Sequence, residues 1–225
     1  MHNLQHNLDK VLDRIHSACD QFQKPAPQLL AVSKKRSASE LREAFSLGLR
    51  SFGENYLQEA LEKQSELTDL NIEWHFIGPI QSNKTRAIAE HFDWVHSVDR
   101  LKIAQRLAEQ CPEGKVIQIC AQINVDQEAT KSGLSFEELP EFTEQVLGLK
   151  NLRLRGLMAI PAPADNFNAQ KASFLKMAEA LRQLQLKFPQ ANLDTLSMGM
   201  SSDLEAAIAA GSTIVRVGTD IFGPR

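Results

Sequence analysis

Leu4, Leu8, Val11, Leu12 and Ile15 open the chain at intervals of three and four residues, with polar residues between them. That spacing puts them on one face of a helix, and Pro25 and Pro27 predict where it has ended. From Gln28 the pattern changes. Short runs rich in apolar and β-branched residues recur at QLLAVSK (28–34), SFGENY (51–56), EWHFIG (73–78), WVHSVD (94–99), KVIQICAQINV (115–125), RLRGLMAI (153–160), TLSMG (195–199) and TIVRVGT (213–219). Helical patterns separate most of them. Phe174, Met177, Ala178, Leu181 and Leu184 mark a long amphipathic face; Leu204, Ala207 and Ile208 mark a short one that Gly211 stops. Ser37 with Glu40, Ser135 with Glu138 and Ser202 with Glu205 have the spacing of a capping box.

Strands alternating with helices imply a parallel sheet. Eight such units predict an α/β fold, a (β/α)8 TIM barrel with an additional N-terminal helix. A doubly wound sheet is the alternative, but no GxGxxG follows the first strand. The stretch 161–170, after the sixth strand, is the most loop-like, and nothing in the pattern resembles a linker. One domain over residues 1–225 is expected.

The 225 residues carry a formal net charge of −3, which gives no reason to expect nucleic acid as a partner. No apolar run approaches the roughly 20 residues of a membrane span. The polar, amphipathic start differs from a signal peptide, so a cytoplasmic protein is expected. Cys19, Cys111 and Cys120 lack CxxC spacing and predict neither a disulfide framework nor a zinc site. His2 and His6 lie four apart, but no carboxylate or cysteine matches them, and an exposed helix face is expected there.

In such a barrel the active groups gather at the C-terminal ends of the strands. Lys34 lies there on the first strand. Alternation puts it on the same side as Val32, with Lys35 toward the helix layer and Arg36 starting the loop. A lysine partly removed from water loses preference for its charged form, and the neutral amine can attack an aldehyde. The same residues also fit a solvated basic loop. Ser201 and Ser202, between the seventh strand and a helix, and Gly218 and Thr219, after the eighth, fit an anion site of two loops. Arg216 interrupts an apolar strand, and a buried charge requires a partner, either a carboxylate or a ligand. A Schiff-base lysine, a phosphate cradle and an inward arginine together fit pyridoxal 5′-phosphate (PLP). A class I aldolase or sugar-phosphate lyase shares the first two.

The stretches LLAVSK, FGENYLQE, WHFIGPIQSNK, HSVD, QINV, KSG, RGLMAIP, LSMGMSSDLEAAIAAGSTIVRVGT and IFG resemble the pyridoxal phosphate homeostasis protein family, whose barrel is similar to the N-terminal domain of alanine racemase. They cover nearly the whole chain in order. The resemblance implies PLP held as an internal aldimine on Lys34, with phosphate contacts from Ser201, Ser202, Gly218 and Thr219. Arg216 falls where the family's arginine faces the pyridine nitrogen; Asn55 and Met158 fall at positions lining the cofactor. His75, Ile77 and Gly78 belong near the mouth, His75 more as a packing residue than a catalytic one. Asn83 and Lys84 fit a surface or partner role as well as a structural one, and Lys131 and Gly133 fit a loop after the fifth strand. Asp220 departs from the small residue common in the family and is expected to point away from the phosphate. Beyond IFG only Pro224 and Arg225 follow, which puts any contribution of the family's longer tail in doubt.

The expected function is therefore a PLP carrier or buffer in vitamin B6 homeostasis, monomeric, without catalytic residues or metal, and with PLP-dependent apoenzymes as possible partners. The alternative is a PLP-dependent amino-acid racemase. Racemisation needs two bases on opposite faces of the substrate carbon. Alanine racemase takes its second, a tyrosine, from another domain of the partner subunit. Tyr56, the only tyrosine here, follows the second strand and is expected to pack locally. An arginine facing the ring nitrogen also disfavours its protonation and weakens the ring as an electron sink.

Overall fold

The computed structural model describes residues 4–126 and 132–224. His2, Lys131 and Arg225, named above, lie outside them. Eight strands run in chain order: β1 (Gln28–Val32), β2 (Ser51–Glu54), β3 (Glu73–Phe76), β4 (Trp94–Val98), β5 (Ile117–Ile123), β6 (Leu152–Ala159), β7 (Thr195–Ser197) and β8 (Ile214–Val217). The helices are α1 (Leu4–Phe22), α2 (Ala38–Ser46), α3 (Leu57–Glu66), α4 (Thr85–His91), α5 (Leu101–Gln110), α6 (Leu139–Leu147), α7 (Phe167–Lys187), α8 (Leu204–Ala209) and α9 (Thr219–Phe222). Every strand pairs in parallel with the next, and β8 returns to β1 in the register Gln28–Ile214 to Ala31–Val217. The result is a closed TIM barrel with α1 as the additional N-terminal helix, packed on α8 and α9. Among the described residues no helix is long and apolar enough to cross a membrane.

Alternation along the strands divides the apolar residues between two cores. The larger fills the space between the outer face of the sheet and the helices, with Phe52, Val95, Ile119, Leu157 and Val215 meeting Leu41, Ile103, Leu107, Phe142 and Phe174. The smaller fills the lumen with Leu30, Trp94, Cys120, Met158 and Ile214, and Ile77 packs on it. The lumen also holds polar side chains, and these connect to the site.

Two of the three expected capping boxes form. Ser37 caps α2 reciprocally with Glu40. Ser135 and Glu138 close the turn that leads into α6, at 2.8 and 3.2 Å. Ser202 and Glu205 do not form one, because the helix starts a residue later than that box requires. Asp203 precedes α8 and accepts the Met200 N–H at 2.6 Å, and the Glu205 carboxylate turns to Arg14 at 2.8 Å. Gly211 ends α8 as expected. Its φ of +92° lets its N–H reach the Ile208 carbonyl (2.9 Å) and the Ser212 N–H reach that of Ala207 (3.0 Å).

Ser37→Ala is expected to cost about 1 kcal/mol in urea unfolding, whereas Ser202→Ala is expected to stay within about 0.5 kcal/mol. Equal losses would contradict the assignment of the caps.

Candidate functional site

β1 stops at Val32, and the chain turns at once, with the Arg36 N–H donating to the Ser33 carbonyl at 3.1 Å. Val32 and Lys34 face one cavity at the C-terminal ends of the strands. Ser33 faces away and is fully buried; its hydroxyl donates to Glu54 Oε1 at 2.6 Å. Behind it Lys63 Nζ donates to the Ser33 carbonyl (2.7 Å), Glu54 Oε1 (2.7 Å) and Glu59 Oε1 (2.6 Å). Glu59 Oε1 also accepts the Lys35 N–H. The turn that carries Lys34 is thus held at the residues on both sides of it. Burial pushes the Glu54 carboxyl up and Lys63 opposes that shift. Lys35 does not face the helix layer: with φ of +61° its backbone is left-handed and its side chain is exposed. Arg36 does more than begin a loop. It lines the cavity and donates to the Gly223 and Pro224 carbonyls.

The cavity measures about 290 Å³, and Val32, Lys34, Arg36, Asn55, Ile77, Ile160, Met200, Ser201, Ser202, Arg216, Gly218 and Thr219 line it. Seven of the eight residues expected at a cofactor are among them. Met158 is the exception, 1% exposed within the lumen cluster. Three features of the lining invite a ligand. The Asn55 side-chain oxygen is buried without a hydrogen-bond partner. The amides and hydroxyls of Ser201 and Ser202 donate to no other described residue. Arg216, 4% exposed, spends Nη1 on the Ser197 carbonyl (2.6 Å) and hydroxyl (2.8 Å) and Nη2 on the Ala159 carbonyl (2.9 Å), but its Nε–H has no partner among the described residues. Two glycines also let backbone approach backbone here. A Cβ at Gly218 would lie 3.0 Å from the Val32 carbonyl oxygen, so this glycine lets the loop close on β1. Gly78 acts likewise for Asn55, whose carbonyl oxygen would lie 2.1 Å from an added Cβ. Asp220 points away from the cavity into an ion pair with Arg14 at 2.6 Å.

From Arg216 a buried chain of hydrogen bonds crosses the barrel. Ser197 Oγ meets His96 Nδ1 at 2.7 Å, His96 Nε2 meets His75 Nδ1 at 2.8 Å, and His75 Nε2 meets Glu73 Oε2 at 2.9 Å. The Glu73 end fixes the direction. Burial favours neutral imidazoles, and an ionised Glu73 can only accept, so each group between donates toward Glu73. Desolvation lowers the pKa of both histidines, His96 well below the usual value. The hydrogen bond from His75, backed by Ser51 and Gln28, pulls the Glu73 carboxyl down to about 2. Arg216 is brought down to about 10 by burial and remains a cation at neutral pH. No carboxylate among the described residues lies within ion-pair distance of it; Asp203 acts only from further away.

His75 therefore sits in the lumen, stacked on Trp94 (5.6 Å between ring centroids) and away from the cavity. Asn83 and Lys84 lie in an exposed single turn. Tyr56 is 50% exposed. Ile160, Met200 and Arg36 were missed as lining residues, and Lys63, His96 and Ser197 as their support. A signal was present for the last two: His96 shares the parity of Trp94, and Ser197 lies on the strand next to Arg216.

The family described as alanine racemase, N-terminal domain, matches residues 2–225. The pyridoxal phosphate homeostasis protein of Pseudomonas aeruginosa is 58% identical over 228 residues, spanning 100% of this chain and 97% of that protein. The chain belongs to this family. PipY of Synechococcus elongatus, 38% identical, superposes with a TM-score of 0.90 without PLP and 0.88 with PLP bound, covering 98% of this chain and 100% of PipY. Alanine racemase of Clostridium difficile, at 15% identity and a TM-score of 0.73, shares the fold over 57% of its own length.

The neutral imidazoles of this family member make stability depend on pH. Below about 6.5 the unfolded chain binds protons that the folded lumen refuses, so stability is complete above that pH and falls below it. The melting temperature is expected to drop between pH 7.5 and 5.5, and to drop less in His96→Asn. Parallel profiles for the two proteins would contradict neutral, buried histidines.

Proposed function

We propose that this chain binds PLP in the mouth of the barrel, with Lys34 as the amine that takes the aldehyde, and that it serves vitamin B6 homeostasis as a carrier or buffer. The observation that carries the reading is the meeting, in one cavity of about 290 Å³, of Lys34, Arg216 with its spare Nε–H, and the unsatisfied donors of Ser201 and Ser202. The names of close relatives and the PLP-bound structure of PipY support it. When bound, PLP supplies an aldehyde that condenses with a primary amine and a phosphate that needs several hydrogen-bond donors.

In this reading each residue has a separate task. Lys34 is presented by a turn fixed through Ser33 and Lys35, which limits the entropy lost on capture. Ser201, Ser202, Gly218 and Thr219 hold the phosphate. Arg216 offers a permanent cation and donor to the ring nitrogen, and so keeps a proton off it. Asn55 lines the ring and offers its buried side-chain oxygen as an acceptor. Met158 supports the ring from the lumen beneath.

A carrier fits better than a racemase. The titratable groups lining the cavity are Lys34, Arg36 and Arg216, and two of these are permanent cations. Among the described lining residues, none is a second base opposite Lys34. The exposed Tyr56 is outside the lining. A monomer that hands PLP to apoenzymes is the corresponding biological form.

The test is an absorbance titration with PLP, beside Lys34→Ala. Wild type is expected to develop a yellow band that borohydride bleaches, and the variant to show none. Proton exchange and racemisation of L- and D-amino acids are expected at no more than the rate of free PLP. A colourless wild type sinks the binding claim, and catalysed racemisation sinks the carrier claim.

A further inference from the structure

α1 lies outside the barrel, yet its Arg14 reaches both loops that form one end of the cavity. Arg14 Nε and Nη2 donate to the Glu205 carboxylate at 2.8 and 3.1 Å. Its Nη1 donates to Asp220 Oδ2 at 2.6 Å, and Nη2 to the Ser201 carbonyl at 2.9 Å. Ser201 belongs to the loop after β7, and Asp220 follows Thr219 in the first turn of α9, directly after β8. Thr219 is also the wall between the main cavity and a hollow lined by Lys10, Arg14 and Asp220.

Two carboxylates thus stand immediately behind a site built for an anion. Left alone they would repel a phosphate across a short, partly desolvated distance. Arg14 offsets one unit of that charge and holds both carboxylates in ion pairs. Its third contact fixes the Ser201 carbonyl, and with it the orientation of the Ser201–Ser202 peptide whose N–H faces the opposite way. The ion pairs are 34–40% exposed, so little of their worth is fold stability.

We propose that Arg14 is a positioning residue of the phosphate site: it offsets one of the two charges of Glu205 and Asp220 and holds the Ser201 loop, so that affinity for phosphorylated ligands depends on a helix that never touches them. The inference rests on the reading of the cavity as a phosphate site. It goes beyond that reading in assigning the phosphate preference partly to α1. The effect is electrostatic and should shrink as salt rises.

The test compares PLP, pyridoxal and inorganic phosphate as ligands of the full chain. Arg14→Gln is expected to weaken PLP about tenfold at low salt and pyridoxal less than about twofold. The triple variant Arg14→Gln, Glu205→Gln, Asp220→Asn is expected to recover most of the loss. Glu205→Gln with Asp220→Asn, keeping Arg14, is expected to bind PLP more tightly than wild type, and it decides the matter if Arg14→Gln does not fold. Equal weakening of PLP and pyridoxal by Arg14→Gln, or weaker PLP binding in the double variant, overturns the proposal. Inorganic phosphate, followed by calorimetry, separates the two claims. If wild type takes up no PLP but binds phosphate in an Arg14-dependent way, the PLP reading fails and this inference stands. If PLP binds normally with unchanged preference in Arg14→Gln, the reverse holds.

Discussion

A guanidinium inside a barrel imposes most of what surrounds it. Arg216 is almost fully buried and has no carboxylate in contact, so its charge is solvated by the protein. Two neighbouring strands supply the solvation: the Ala159 carbonyl ends β6, and Ser197 ends β7. Those bonds leave Nε–H without a partner among the described residues, in a side chain that lines the cavity. At the other end an ionised Glu73 accepts from His75, so with neutral imidazoles His75 Nδ1 accepts from His96 and His96 Nδ1 accepts the Ser197 proton, which leaves Ser197 lone pairs for Arg216. One buried cation and one ionised carboxylate thus bracket a hydrogen-bond chain from the mouth of the barrel to its other end. Neutral histidines conduct that order without adding a second buried charge, which the lumen would not tolerate beside Arg216.

The lysine is held by a different device. The Ser33–Arg36 turn carries Lys34, and Lys63 pins that turn between two glutamates. Lys63 is itself a buried charge, and its three acceptors satisfy all three of its protons. The arrangement separates two neighbouring lysines by backbone alone. Lys34 continues the parity of Val32 into the cavity, while the left-handed conformation at Lys35 sends the next side chain to water. A lysine turned to solvent and a lysine that lines the cavity therefore stand one residue apart.

The barrel was legible in the chain because period-2 and period-3.6 patterns alternate eight times with recognisable caps. Ser37 and Ser135 were readable since their glutamates are local. Ser202 was misread because Glu205 is claimed by Arg14, 191 residues away in sequence, and no local pattern encodes that. The cavity was legible where strand ends carry an unusual residue, as at Lys34, Arg216 and the Ser201 loop. It was not legible at Ile160 or Met200, which look like ordinary apolar residues. Arg14 and Lys63 read as polar positions on amphipathic helices, and only the closed fold brings them to the loops they serve. Lys35 was misplaced because alternation fails once a strand ends in a turn.

The account turns on one covalent attachment at one residue. Loading the protein with PLP, reducing with borohydride and mapping peptides by mass spectrometry tests it most directly. The phosphopyridoxyl group is predicted on Lys34, at one equivalent per chain, with Lys35 and Lys63 unmodified. Label spread over surface lysines, or concentrated on Lys35, would contradict the account.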